Sequence, residues 1–197
     1  MSKETQVRRL QLFDGLLGTL PKGRIVDLGA GHGMFAMRAA DFGWDVTAVD
    51  ARDERFPVDD RVTWVRQDVR DFDLAGFDLI LCLGLWYHLT AADQQALLKR
   101  MSGTPVIIDT HLATGEHLDS HERKLSEPVT VDGYRGRMYS ERGWDARPTA
   151  SWGNDDSFWP TRKAFLSMLA EHGYPVVYAG VPWVTPDRTF FQCLPQR

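Results

Sequence analysis

The stretch Arg24 to Ala36, R-I-V-D-L-G-A-G-H-G-M-F-A, constrains this chain more than any other. Ile25, Val26 and Leu28 give a buried β-strand that breaks into three alternating glycines, Gly29, Gly31 and Gly33. An apolar, helix-compatible segment follows from Met34 to Phe42. Glycines at a strand-to-helix turn allow positive φ and let a ligand lie against the backbone with no Cβ in the way. The N–H groups of the helix start then face that ligand. The spacing is D-x-G-x-G-x-G. It departs from the G-x-G-x-x-G of dinucleotide binders, because Met34 stands three positions after Gly31. Trp44 to Val49 reads as the next strand. Asp50 ends it about twenty residues beyond the glycines, where a ribose-reading acid belongs.

Strands and helices keep alternating. Val62 to Val65 and Val106 to Ile108 read as strands, and Leu79 to Leu83 is as apolar as a central parallel strand should be. Residues 3 to 18 read as an amphipathic helix, with Val7, Leu10, Leu12, Phe13, Leu16 and Leu17 apolar and Lys3, Glu4, Arg8 and Arg9 between them. Thr90 caps a helix running to about Met101, and Thr161 opens a last one ended by Gly173. Tyr174 to Val181 and Arg188 to Leu194 read as an antiparallel pair around a turn at 182–187.

The segments V-D-L-G-A-G-H-G (26–33), V-T-A-V-D (46–50), Q-D-V (67–69) and F-D-L-I-L-C (77–82) resemble the class I S-adenosylmethionine-dependent methyltransferases. They occur in that family's order over about the first 110 residues. The resemblance implies an α/β, Rossmann-like, doubly wound sheet of seven strands, mostly parallel with an antiparallel final strand. It implies S-adenosylmethionine as cofactor. Asp27 would organise the glycine turn or meet the cofactor's amino group, beside Gly29, Gly31 and Gly33. Asp50 would accept the two ribose hydroxyls. Asp68, with the Val69 backbone N–H, would read the adenine edge, and Leu83 would border the cofactor at the end of the fourth strand.

In this architecture ligands bind beyond the carboxyl ends of the strands. The run G-L-W-Y-H-L (84–89) stands there and resembles that of small-molecule methyltransferases and of wobble-uridine carboxymethyltransferases. It lacks the Asn/Asp-Pro-Pro-aromatic and Pro-Cys motifs of base methyltransferases. His88 is the first candidate base, since neutral imidazole titrates near physiological pH. His111, after the fifth strand, is the second. Cation-dependent catechol-type enzymes carry an acid after the fourth strand, where this chain has Gly84-Leu85, so no Mg²⁺ is expected. His111, His117 and His121 with Glu116, Asp119 and Glu122 match no metal template and read as an exposed polar loop.

Residues 112–160 are too long for an ordinary connection, and their aromatics argue against disorder. They read as a lid or substrate insert within a single domain spanning 1–197. Two of its pieces, 133–141 and 151–161, loosely resemble wobble-uridine carboxymethyltransferases. Tyr87, Arg137, Tyr139, Asn154 and Trp159 are the candidate substrate contacts. The net charge of −4 gives no general pull on nucleic acid, and no apolar run approaches a bilayer span. Two cysteines in apolar surroundings and no signal-peptide core suit the cytoplasm. The expected function is methyl transfer to oxygen or nitrogen of a small molecule. A tRNA-modifying enzyme and a non-catalytic cofactor-binding domain are the alternatives.

Overall fold

The computed structural model describes residues 3–115, 119–147, 149–182 and 187–196, with the side chains of residues 119 and 120 left aside. Helix α1 (Lys3–Leu17) precedes β1 (Arg24–Leu28), α2 (Met34–Asp41), β2 (Asp45–Asp50), β3 (Val62–Arg66) and β4 (Leu79–Leu83). A 3₁₀ turn (Trp86–His88) leads into α3 (Ala91–Met101) and β5 (Val106–His111). Then come the short α4 (Asp119–Glu122), β6 (Leu125–Val131), β7 (Tyr134–Ser140) and β8 (Asp156–Pro160). Helix α5 (Arg162–Glu171) and strands β9 (Val176–Gly180) and β10 (Arg188–Leu194) follow.

Seven strands form one sheet in the order β3-β2-β1-β4-β5-β10-β9. The pairs from β3 to β5 are parallel, and β10 is antiparallel to both its neighbours. This is the sheet the sequence implied. The strand order reverses between β1 and β4, so their carboxyl ends open the crevice in which such sheets bind ligands. Phe13 and Leu17 of α1 and Phe35, Ala36 and Ala39 of α2 pack on one face of the sheet. Leu97, Leu98 and Met101 of α3 and Phe165, Met168 and Leu169 of α5 pack on the other. Thr90 and Thr161 cap α3 and α5 by accepting the Asp93 and Ala164 amides. Among the described residues no helix is long and apolar enough to cross a membrane.

Two expectations change. The segment after β5 holds a second sheet, antiparallel β6-β7-β8, and its Tyr134 and Phe158 join the core on the α3–α5 side. Helix α1 also does not keep all its charged residues on an outer face. Arg9 is buried, whereas Val7 is 46% exposed. The reason lies in the site below.

Candidate active site

The glycine loop makes one wall. Gly29, Gly31 and Gly33 have φ of 70°, 55° and 66°, the left-handed region where a side chain is strained. A Cβ on Gly29 would lie 3.0 Å from the Leu85 side chain, and one on Gly33 would lie 2.2 Å from the Trp64 ring. Asp50 closes the loop from the end of β2. Its Oδ2 accepts the Gly31 amide at 2.9 Å, and its Oδ1 accepts the Arg52 amide at 2.9 Å. Asp27 lies behind the loop, buried in β1, and accepts the Ala36 amide in the first turn of α2. Burial, and next the charge of Asp50, pushes its carboxyl up to about 8. Asp27 thus ties strand to helix, and its burial favours the protonated form.

A cavity of about 730 Å³ opens over this loop. Gly29, Gly31, Asp50, Asp68, Val69 and Leu83 line it, together with Tyr87, His88, Tyr139, Asn154 and Trp159. Gly33 and Asp27 support the wall from behind and do not face the cavity.

Arg137 does not reach it. Its guanidinium pairs with Glu122 at 2.8 Å, and its Nε donates to the Ser126 carbonyl on the neighbouring strand. Arg137 and Tyr139 lie two apart on β7 and share a face; Tyr139 lines the cavity, while the longer Arg137 side chain is spent bracing β6 and Glu122. Asn154 lines the cavity, but its amide nitrogen donates to the His88 and Asp156 carbonyls, at 3.1 and 2.9 Å. It holds the chain that carries His88.

The two candidate histidines differ in kind. His88 Nδ1 stands 2.5 Å from Oε1 of Glu141, a residue just beyond β7 with its side chain 1% exposed. The other contacts of that carboxylate are longer: Ser157 Oγ at 3.5 Å, the Ser151 amide at 3.5 Å and Arg147 at 3.6 Å. A buried carboxylate favours a donor, so the contact orients Nδ1–H of His88 toward Glu141, and the neutral tautomer it selects has its lone pair on Nε2. His111 is the reverse. Arg188 Nη1 lies 2.9 Å from its Nε2, and arginine only donates. The His111 proton therefore sits on Nδ1, 3.2 Å from Asp187. Nε2 is engaged by Arg188, and burial pulls the imidazole down to about 4. These surroundings place His111 less well than His88 to take a substrate proton.

His121 Nδ1 also meets Asp187, at 3.1 Å. His111, His121 and Asp187 thus gather three potential metal-ligand atoms within 4.8 Å of one another. The exposed polar loop read from the sequence is wrong for His111, which is buried in contact with a buried aspartate. Of the trio, His121 Nδ1 is hydrogen-bonded to Asp187 Oδ2, which stands 3.2 Å from His111 Nδ1, while His111 Nε2 faces Arg188. Glu122 pairs with Arg137 and stands apart, while Glu116 and His117 lie outside the described residues.

Stacked rings complete the acceptor side. Trp159 is sandwiched between His111 (centroids 5.0 Å apart, 10°) and Tyr139 (4.7 Å, 6°), and its Nε1 donates to the Tyr87 carbonyl. Sequence reasoning missed Glu141, Asp187, Arg188 and Arg9. Each is a charged residue whose role depends on a partner distant in the chain, and no local pattern marks it.

Residues 6–179 match the family described as "Methyltransferase domain". The N-terminal domain of EvdMO1, solved with S-adenosylhomocysteine, is 22% identical over 98% of this chain and 80% of its own, with a TM-score of 0.70. The 1,6-didemethyltoxoflavin-N1-methyltransferase of Burkholderia thailandensis is 16% identical over 96% and 76%, at 0.63. The glycopeptide N-methyltransferase MtfA is 17% identical over 96% and 93%, at 0.61. No curated protein matches the sequence. The chain belongs to the methyltransferase-domain family and is a class I S-adenosylmethionine-dependent methyltransferase. Its residues fit that cofactor. The glycine cradle admits no Cβ, and each Asp50 oxygen, having accepted one amide, keeps a lone pair for a ribose hydroxyl.

Proposed function

We propose that the chain methylates an oxygen or nitrogen of a small molecule, with His88 as the base and Glu141 as the residue that positions it. The observation that carries this reading is the His88–Glu141 contact on the wall of an aromatic-lined cavity. Bound S-adenosylmethionine supplies an already electrophilic methyl group, so the protein's task is positioning and proton removal. Asp50, Asp68, Val69 and Leu83 would hold the cofactor. Tyr87, Tyr139 and Trp159 would supply apolar contact to the acceptor. His88 Nε2 would take the acceptor's proton, while Glu141 would keep the ring in the required tautomer and stabilise the imidazolium that forms.

In this reading residues 112–160 are the part of a single domain that shapes the acceptor side. The neighbouring structures support a small acceptor, since their names specify 1,6-didemethyltoxoflavin, N-acetylserotonin and a glycopeptide, and one was solved in the presence of D-fucose. The net charge of −4 argues against a nucleic-acid substrate. Two buried free thiols suit a cytoplasmic enzyme. The test is a transfer assay with labelled S-adenosylmethionine against hydroxylated and amino small molecules and bulk tRNA. Turnover on tRNA alone would overturn the small-molecule reading.

A further inference from the structure

The cavity holds a second imidazole–carboxylate pair besides His88 and Glu141. His121 of α4 lines the cavity with its side chain 21% exposed. Its Nδ1 is hydrogen-bonded at 3.1 Å to Oδ2 of Asp187, whose side chain is wholly buried. On the other side of the ring, Nε2 is not buried and has no hydrogen-bond partner among the described residues.

Asp187 is held through the backbone around it. Its carbonyl accepts the Leu112 amide at 2.8 Å, which ties it to the end of β5. The next residue, Arg188, opens β10 and donates through Nε and Nη2 to Asp109, both at 2.8 Å. Arg9 of α1 donates to the same buried carboxylate at 2.8 Å, which is why that arginine points inward. A carboxylate fixed in this way and shut off from water favours a donor. The contact therefore orients Nδ1–H of His121 toward Asp187, and the neutral tautomer it selects has its lone pair on Nε2.

The two pairs stand at the ends of a row of rings. Between centroids, His88 lies 4.3 Å from Tyr87, Tyr87 lies 4.6 Å from His111, and His111 lies 4.7 Å from His121. Trp159 backs the row, 6.0 Å from Tyr87, 5.0 Å from His111 and 5.3 Å from His121. An acceptor seated with one group at His88 thus presents a different group to His121.

We infer that His121, positioned by Asp187, is a specificity residue for the methyl acceptor, and that this acceptor carries a second hydroxyl or amino group donating to Nε2 of His121. The acceptor class is a molecule with two donor groups set apart, such as a diol or an amino alcohol. An analogue without the second group would leave Nε2 covered and unpaired, so the site discriminates against it. This inference rests on the methyltransferase reading above, but its test needs no turnover, so an idle His88 and a misassigned His121 fail separately.

The experiment uses the full chain saturated with S-adenosylhomocysteine. Resorcinol and hydroquinone are titrated against phenol, and cyclohexane-1,4-diol against cyclohexanol, by calorimetry. Nitrogen-15 spectra of the histidine rings, assigned with His121→Phe, are recorded alongside. Before any diol is added, Nε2 of His121 should be the unprotonated ring nitrogen at pH 8. At least one diol should bind several-fold to about tenfold tighter than its mono-ol, the range of one added hydrogen bond, and should shift the Nε2 signal. His121→Phe keeps a ring against Trp159 and removes both nitrogens. It should abolish the preference and leave S-adenosylhomocysteine affinity unchanged. Equal binding of every diol and its mono-ol, a preference that survives in His121→Phe, or a proton on Nε2 would overturn the inference. A loss of S-adenosylhomocysteine affinity in His121→Phe would assign His121 to the cofactor and overturn it as well.

Discussion

Arg188 donates to Nε2 of His111 at 2.9 Å, and this one contact separates the two candidate bases of the cavity. Closing Nε2 leaves His111 no lone pair for a substrate proton. His88, whose Nδ1 is held by Glu141, keeps one. His88→Ala should therefore lower turnover by about 10²–10⁴, the usual loss for a general base, with cofactor affinity little changed. His111→Asn should act through stability, at about 1–3 kcal/mol for a disturbed buried polar network. Steady-state kinetics with denaturation of both variants checks this. The assignment fails if His111→Asn folds normally and is the inactive one.

Glu141 should act only through His88. Glu141→Gln preserves shape but removes the charge that faces the imidazolium, and its amide can present a donor to Nδ1. The expected outcome is a fall in kcat of about tenfold to a thousandfold with KM for S-adenosylmethionine nearly unchanged, and an altered pH–rate profile. A merely structural Glu141 would shift the melting temperature and leave the pH profile where it was.

Asp50 already accepts two backbone amides and has one lone pair left on each oxygen. Asp50→Asn replaces one acceptor oxygen by a donor and removes the charge. S-adenosylhomocysteine affinity should drop by roughly ten- to a hundredfold, since charge-assisted hydrogen bonds contribute about 1.5–3 kcal/mol. Calorimetry measures it, and unchanged affinity in a folded variant would refute the ribose assignment.

The glycine loop and the main sheet were legible in the sequence because their causes are local. Positive φ selects glycine, and a strand buried on both faces selects runs such as Leu79–Leu83. The residues proposed for the cofactor stand at the same strand ends. The second sheet was not legible. Strand β6 carries Pro128, which argues against a strand, and it is tolerated because β6 is an edge strand with only β7 beside it. Arg9 was read as surface because its spacing fits a polar face. Its buried partner Asp109 lies 100 positions away, and nothing in α1 announces it.

Asp27 gives the protein a distinctive pH dependence. Burial pushes its folded carboxyl up to about 8 from the ordinary 3.8, so between those values the native state holds a proton that the unfolded chain has lost. The contribution of Asp27 to stability therefore falls as pH rises from about 4 to 8 and is flat above and below, with a slope of at most about 1.4 kcal/mol per pH unit. Asp27→Asn mimics the protonated form and should flatten that fall. Urea denaturation of both proteins between pH 5.5 and 8.5 checks the sign, and parallel curves would show that Asp27 is ionised in the fold.

The residues proposed to read the cofactor, Asp50 and Asp68, are tied to the segment after β7 by their near neighbours in the chain. Arg52, two residues after Asp50, donates to the Ser151, Ala150 and Trp144 carbonyls at 3.0, 3.3 and 3.4 Å, and its guanidinium lies 4.9 Å from the centre of the Trp152 ring. Arg70, two residues after Asp68, donates to the Trp152 carbonyl at 3.2 Å. Each arginine amide also donates to the aspartate before it, at 2.9 Å. A ligand that orders Asp50 and Asp68 should thus steady residues 144–152 through two short links. S-adenosylhomocysteine should increase hydrogen-exchange protection across 144–152, and Arg52→Ala should remove most of that increase. Affinity should fall by less than in Asp50→Asn, because the ribose acceptor remains. If the segment gains equal protection in Arg52→Ala, the coupling does not run through this arginine. If cofactor brings no protection there at all, the segment is already fixed by Trp159, Tyr139 and Phe158, and acceptor selection is a property of a rigid wall.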